Sequence, residues 1–384
     1  MNPFITKEHE IFRQKVRDFA ENEIKPLAGK LDEEERFSPE LTQKMGEFGL
    51  FGIAIPKKYG GQGLDYRSLV IAVEEIARVD GSQAGTLAAH NSLGIAPIYN
   101  YGTEEQKMKY LPMLCRGDKI WAFGLTEENA GSDSQRTETT AEFKEGYWHI
   151  NGAKMFISNA ASESSAGVTI QAVTGVRKNG KKELSSILVP KETPGFTREK
   201  ITNKMMWRAS DTGRLFFDNV KVPAENLLGE RGKGGKMMLE TLDAGRLSIG
   251  AMGLGLAQGA FEMAMDYAKK REQFGKPIGQ FQVNTFKLAD MATKIELAHN
   301  TLYKATWLKD NNYAFGKESA MAKLYSSEIA REIADESLQI HGGYGLLKSF
   351  DIERFYRDQR ILQIGEGTSE ILRLVISRHI GVYD

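Results

Sequence analysis

Over the first 120 residues the apolar positions recur every three to four residues. Phe12, Val16, Phe19, Ala20, Ile24 and Leu27 fall on one stripe of a helix. A second helix is expected after Ser38-Pro39, because serine can cap and proline suits a first turn; Leu41, Met45, Phe48 and Leu50 form its apolar face. Glycine density makes Pro56 to Gly63 a loop, and helical spacing resumes over Leu69 to Val79 and Thr103 to Leu114. The texture changes near residue 121. Apolar runs shorten and alternate, as in Tyr147-Trp148-His149-Ile150, Val168-Thr169-Ile170, Ser186 to Pro190 and Leu215-Phe216-Phe217. Asn151-Gly152, Asn179-Gly180 and Pro194-Gly195 read as the turns between them. From about Gly235 long amphipathic segments return, over Met238 to Arg271, Gln282 to Lys309 and Lys317 to His341, lengths that suggest a bundle with faces free for other subunits.

The predicted architecture is α+β and multidomain: helical over 1–120, antiparallel β over 121–230, a helical bundle over 231–384. No helical period interrupts the middle segment, so a doubly wound parallel sheet is not expected. Composition narrows the function. The 384 residues carry 51 basic and 51 acidic side chains, a balance that favours no nucleic acid or acidic membrane surface. One cysteine, Cys115, allows no internal disulfide or cysteine-based zinc site. The six histidines never fall at metal-ligand spacing with a second histidine, so no metal is expected. No stretch approaches the roughly 18 apolar residues of a membrane span. The opening residues mix acids with bases and lack a signal core, and a cytoplasmic location is expected.

Taken singly, the candidate motifs favour bland readings. Gly253-Leu254-Gly255-Leu256-Ala257-Gln258-Gly259 resembles a dinucleotide fingerprint, but no strand precedes it, so close helix packing is the better reading. Gly229 to Lys236 lacks the Gly-Lys-Ser/Thr of a phosphate loop. Asp243 and Arg246 alone would be a surface ion pair, and Glu366 a solvated loop residue. Together, however, YGGQGLD (59–65), LTEENAGSD (125–133), KMFISN (154–159), SDTGRLFFDNVKVP (210–223), LDAGR (242–246), KREQFGKPIGQFQ (270–282), LQIHGGYG (338–345) and RDQRILQIGEGTSEILR (357–373) stand in one order and spacing. In these motifs the whole chain resembles an acyl-CoA dehydrogenase. The resemblance implies a helical domain, a β domain and a C-terminal four-helix bundle, assembled as a homotetramer that is a dimer of dimers.

It also implies a chemistry. A base removes a proton α to a CoA thioester, a hydride leaves the β carbon for FAD, and a trans-2-enoyl-CoA results. A carboxylate suits the base role because burial can raise its pKa. Glu366 matches the family base, and its backbone N–H would polarise the thioester oxygen. A minority of the family places its base directly before the Arg of Asp-x-x-Arg; here that residue is Gly245. The resemblance further implies flavin contacts from Phe123, Leu125, Thr126, Phe156 and Ser158, with Gly131 and Ser132 near phosphates and substrate. Arg271, Phe274 and Gln282 resemble the set reaching a neighbouring subunit's FAD; Gln339, Gly342 and Gly343 resemble its adenine and pyrophosphate contacts. Gly367, Thr368, Ser369 and Glu370 would close over FAD, while Asp243, Arg246 and Gly365, with Ser132, would lie on the substrate side.

Departures from the family pattern shape the substrate reading. Small residues at Gly365 and Gly245 suggest extra room for branched, cyclic or bulky acyl groups. Ala84 stands where the glutaryl-CoA branch carries an Arg, against a dicarboxylic substrate. Glu128 replaces a usual Pro, and SNAASESS (158–165) lacks a usual Gly pair. The expected activity is an acyl-CoA dehydrogenase passing electrons to electron-transfer flavoprotein. An enoyl-CoA reductase working in reverse and a non-catalytic acyl-CoA-binding homologue are the alternatives.

Overall fold

A computed structural model describes residues 3–382. Helices come first: α1 (Lys7–Phe19), α2 (Lys25–Glu33), α3 (Pro39–Glu47), α4 (Tyr66–Ala77), α5 (Gly81–Ala89), α6 (Ala96–Tyr101) and α7 (Glu104–Arg116). Local chemistry sets their starts. Ser38 accepts from the Leu41 N–H at 3.1 Å with Pro39 in the first turn, and Thr103 caps α7 in a reciprocal pair with Gln106. The first apolar stripe departs from expectation. A π-turn at Ala20–Ile24 separates α1 from α2, and one added residue rotates the following positions by about 100°. Ala28 and Leu31 therefore enter the core while Leu27 is left 40% exposed. Phe48 also turns outward, its ring 4.5 Å from that of Phe19.

The middle segment is a sheet of β1 (Ile120–Gly124), β2 (Thr140–Lys144), β3 (Tyr147–Ser158), β4 (Ser165–Val176), β5 (Lys182–Pro190), β6 (Phe196–Lys200), β7 (Thr212–Pro223) and β8 (Leu227–Leu228). Its order is β6-β7-β3-β2-β4-β5-β8, with β1 beside β4. Most pairings are antiparallel, but β1 runs parallel to β4 and one Thr140–Val173 pairing of β2 with β4 is also parallel. The antiparallel expectation thus holds for most of the sheet, and β1 departs from it because the β2–β3 hairpin intervenes between β1 and β4, a connection long enough for parallel pairing. Asn151-Gly152 is likewise no turn. It lies inside β3 at a register shift, with Gly152 at φ 142° and Thr139 so close that a Cβ there would sit 2.6 Å from its hydroxyl. Asn179-Gly180 does turn the chain between β4 and β5.

The C-terminal segment holds α8 (Gly234–Lys270), a small hairpin of β9 (Glu272–Gln273) and β10 (Lys276–Pro277), α9 (Gln282–Asp310), α10 (Gly316–His341), α11 (Ile352–Asp358) and α12 (Ser369–His379). Three helices are long; the fourth, α12, has 11 residues and packs on α10. The glycine run in α8 is a packing device. A Cβ at Gly253 would lie 2.8 Å from the Ser326 backbone of α10, and one at Gly255 would lie 2.2 Å from the Glu74 carbonyl of α4. Helix α8 thus joins the N-terminal helices and the bundle in one core, while the sheet keeps its own around Ile150, Val168, Ile187 and Leu215. Among the described residues no helix is long and apolar enough to cross a membrane, and no group of three acidic, histidine or cysteine side chains could hold a metal ion.

Candidate active site

The centre of the site is built where α8, α10 and the loop before α12 meet. A 3₁₀ turn at Gln359–Gln363 ends with the Gly365 N–H donating to Ile361 O at 2.8 Å, and Thr368 then caps α12 by accepting from Ile371 N–H at 3.2 Å. Between these anchors the backbone enters the left-handed region at Glu366 (φ 51°) and Gly367 (φ 99°). That excursion turns the Glu366 side chain inward against α8. Its Oε2 is sealed from solvent with no hydrogen-bond partner, and burial pushes the carboxyl up to about 7, partly offset by Lys323 and Arg246. Gly245 makes this possible. A Cβ there would stand 2.3 Å from Glu366 Oε2. The space left by Gly245 is therefore filled by the carboxylate, which corrects the expectation that it widens the acyl site. At Gly365 a Cβ would meet only ordinary contacts with Ile361.

Three further residues went unflagged in the sequence. Lys323 of α10 is fully buried, donates to Gly367 O at 2.7 Å, and is lowered by burial to about 8. Its only sequence signal is a lysine on a face of small residues, among Ser319, Ala322 and Ser326. Tyr66 donates to the Ala244 carbonyl at 2.8 Å and is pushed up to about 12 by burial, with Glu366 adding to the rise. Arg246 is buried and pairs with Asp243 at 2.5 Å, leaving its Nε unpartnered. The third unflagged residue is Lys154 of β3. Its buried ammonium donates to Leu125 O (3.2 Å), Glu127 Oε1 (2.6 Å) and Gln171 O (2.7 Å). Met155 N–H donates to Thr126 O at 2.9 Å, so the segment 125–127 is riveted to β3 from below.

The remaining predicted residues fall into separate groups. Phe123 lies on β1, with Leu125 and Thr126 just beyond it; all three are half-buried. Gly131 and Ser132 are exposed, and nothing lies within 4 Å of a Cβ built at Gly131. On β3, Phe156 is 62% exposed at φ 61°, and Ser158 ends the strand. Gly367 and Thr368 neighbour Glu366; Ser369 is buried with an unpartnered hydroxyl, and Glu370 is exposed. Far along α8, Arg271, Gly342 and Gly343 line a cleft of about 490 Å³ with Tyr267, His341 and Tyr344. Gln339 and Gln282 are exposed nearby in sequence on α10 and α9, and Phe274 on the β9–β10 hairpin is 93% exposed. At 1.5 Å rise per residue, Gly245 and Arg271 stand about 40 Å apart along α8.

With this geometry in view, the chain matches three consecutive domains of one family: the acyl-CoA dehydrogenase N-terminal domain over residues 6–118, middle domain over 122–220 and C-terminal domain over 232–381. The chain belongs to the acyl-CoA dehydrogenase family and is an oxidoreductase. It is 47% identical to the probable acyl-CoA dehydrogenase YngJ of Bacillus subtilis (strain 168) over 380 residues, 99% of this chain and 100% of that one. Identity is 44% over 376 residues to the short-chain specific acyl-CoA dehydrogenase of Clostridium acetobutylicum, 98% of each chain. A chain solved in work on the electron transferring flavoprotein of Acidaminococcus fermentans superposes with a TM-score of 0.95 at 40% identity, covering 99% of this chain and 100% of that one.

Proposed function

We propose that the protein desaturates a short acyl-CoA thioester to its trans-2-enoyl-CoA, with Glu366 taking the α proton, and passes the electrons to an electron-transferring flavoprotein. One observation carries the reading: a carboxyl raised to about 7 by burial, its Oε2 sealed from solvent without a hydrogen-bond partner. A general base works best when its pKa lies near the working pH, so that it is ionised yet still basic. Proton transfer runs from the substrate α carbon to Glu366, while the β hydrogen leaves with its electron pair. Bound FAD would supply the acceptor for that hydride.

The residues present fit such a cofactor. Phe123, Leu125, Thr126, Phe156 and Ser158 would line the ring, held from below by Lys154. Gly131, Gly342 and Gly343 leave open space where a side chain would stand, which suits close approach by phosphates. Arg271 brings a cation to the distal cleft. About 40 Å separates that cleft from the Glu366 site along α8, which supports a second copy of the chain completing each cofactor site within a homotetramer. Asp243 and Arg246 would face the substrate. A short, unbranched acyl group is favoured by the short-chain relative and by the occupied niche at Gly245.

Anaerobic titration of the purified protein with acyl-CoAs tests the reading. Visible flavin absorbance should bleach with butyryl-CoA more fully than with octanoyl- or branched acyl-CoAs. Yellow protein that no saturated acyl-CoA bleaches would replace it with an enoyl-CoA reductase. Protein without flavin would favour the acyl-CoA-binding homologue.

A further inference from the structure

The lysine beneath the base loop has no role in the reading above. Lys323 Nζ is fully buried, and burying an ammonium costs several kcal/mol that an apolar side chain of the same length would avoid. Its hydrogen bond to Gly367 O, 2.7 Å long, grips the residue directly after Glu366. There two successive residues hold left-handed backbone, a conformation costing roughly 1–2 kcal/mol for a side-chain-bearing residue such as Glu. Electrostatics add a second link. Facing Glu366 are Lys323 of α10 and Arg246 of α8, with the Tyr66 hydroxyl of α4 in reach; facing Lys323 are Glu366, Arg246, Glu328 of its own helix and Glu370 of α12. Arg246 is already paired with Asp243, and of the two cations Lys323 acts on Glu366 more strongly.

The geometry points to Lys323 as a positioning residue: its ammonium fixes the Glu366–Gly367 backbone through the Gly367 carbonyl and supplies the buried positive charge that faces the base. The inference rests on Glu366 being that base. It separates two jobs, a hydrogen bond that holds the loop and a charge that favours the carboxylate over the acid. Lys323→Gln keeps a donor without charge, and Lys323→Met removes both while keeping apolar length.

The test is kcat/KM against pH for both variants with flavin bound, alongside flavin content and thermal midpoint. Removing an opposite charge from beside a carboxylate raises its pKa, so the acidic limb should move about one unit towards alkaline pH in both variants. At pH values below the limb that is about a tenfold loss. The alkaline plateau should be kept by Lys323→Gln and reduced in Lys323→Met. A flavin-loaded Lys323→Gln whose limb stays at the wild-type pH overturns the proposal. So does failure of both variants to fold, which would make the lysine purely structural. Glu366→Gln in parallel separates the two claims: if that variant stays active, the base assignment itself falls; if it is dead and the limb is unmoved, only the role of Lys323 falls.

Discussion

Helix interiors usually gain about 1 kcal/mol when glycine becomes alanine. Gly245 should behave otherwise, because the atom it would meet at 2.3 Å is Glu366 Oε2. A carboxylate at the end of a side chain can move aside, so folding tolerates the change; catalysis should not, since a displacement of about 1 Å can cost a hundredfold. Gly245→Ala is therefore expected to keep its thermal midpoint and lose at least tenfold in kcat/KM, measured with butyryl-CoA. Glu366→Gln should keep flavin and acyl-CoA binding while turnover falls by several orders of magnitude; near-wild-type turnover would remove Glu366 from its role. The raised carboxyl also predicts a pH dependence. With Glu366 as the base, the active free enzyme would carry the carboxylate, so kcat/KM should fall about tenfold per unit as pH drops below about 7. Stability runs the opposite way. The folded pKa lies above the ordinary value of 4.5, so the contribution of this group is full at low pH and is lost as pH rises towards 7, a difference on the order of 3 kcal/mol. Calorimetry should find Glu366→Gln melting above wild type at pH 8, with the gap narrowing towards pH 5.

Among the elements, α8 sets the geometry of the site. Its 37 residues include glycines whose missing side chains let α4 and α10 approach to backbone contact. Those contacts set where Gly245 and Arg246 stand relative to Lys323 and the Glu366 loop. Gly255→Val would drive methyl groups into the Glu74 carbonyl, a rigid neighbour that cannot swing away. Overpacking of this kind costs about 2–3 kcal/mol, so the thermal midpoint should drop by several degrees. An unchanged midpoint would show that the two helices part freely. The π-turn after α1 and the bulge at Gly152 belong to the same scale. The π-turn shifts the phase of the helical positions after it, which is why Leu27 faces out, while opposite Gly152 the added residue belongs to β7, where Asp218 and Asn219 stand against Asn151.

Across the whole molecule, the Glu366 cluster and the cleft lined by Arg271 lie near opposite ends of α8. Phe274 at the distal end is 93% exposed, and Val283, Phe286 and Leu297 present further apolar surface on α9. Apolar side chains left this open are ones that a neighbouring copy would cover. If the copies complete each other's cofactor sites, Arg271→Ala should fold with a normal midpoint as apoprotein yet purify with markedly less flavin, read from the ratio of visible to protein absorbance. Full flavin retention in that variant would place the cofactor within one chain.

The order of motifs along the chain was enough to identify the family, the class of reaction and Glu366 as candidate base, because those depend on residue type and spacing. Helix starts at Ser38 and Thr103 were legible for a similar reason, since capping is settled within four residues. What spacing could not show was proximity between distant segments. That Gly245 houses the Glu366 carboxylate, that Lys323 holds Gly367 and that Lys154 braces Leu125 each join residues far apart in the chain. The raised pKa of Glu366 follows from the same fact: desolvation and charge act through space, and only the packed helices decide which groups share one dry pocket.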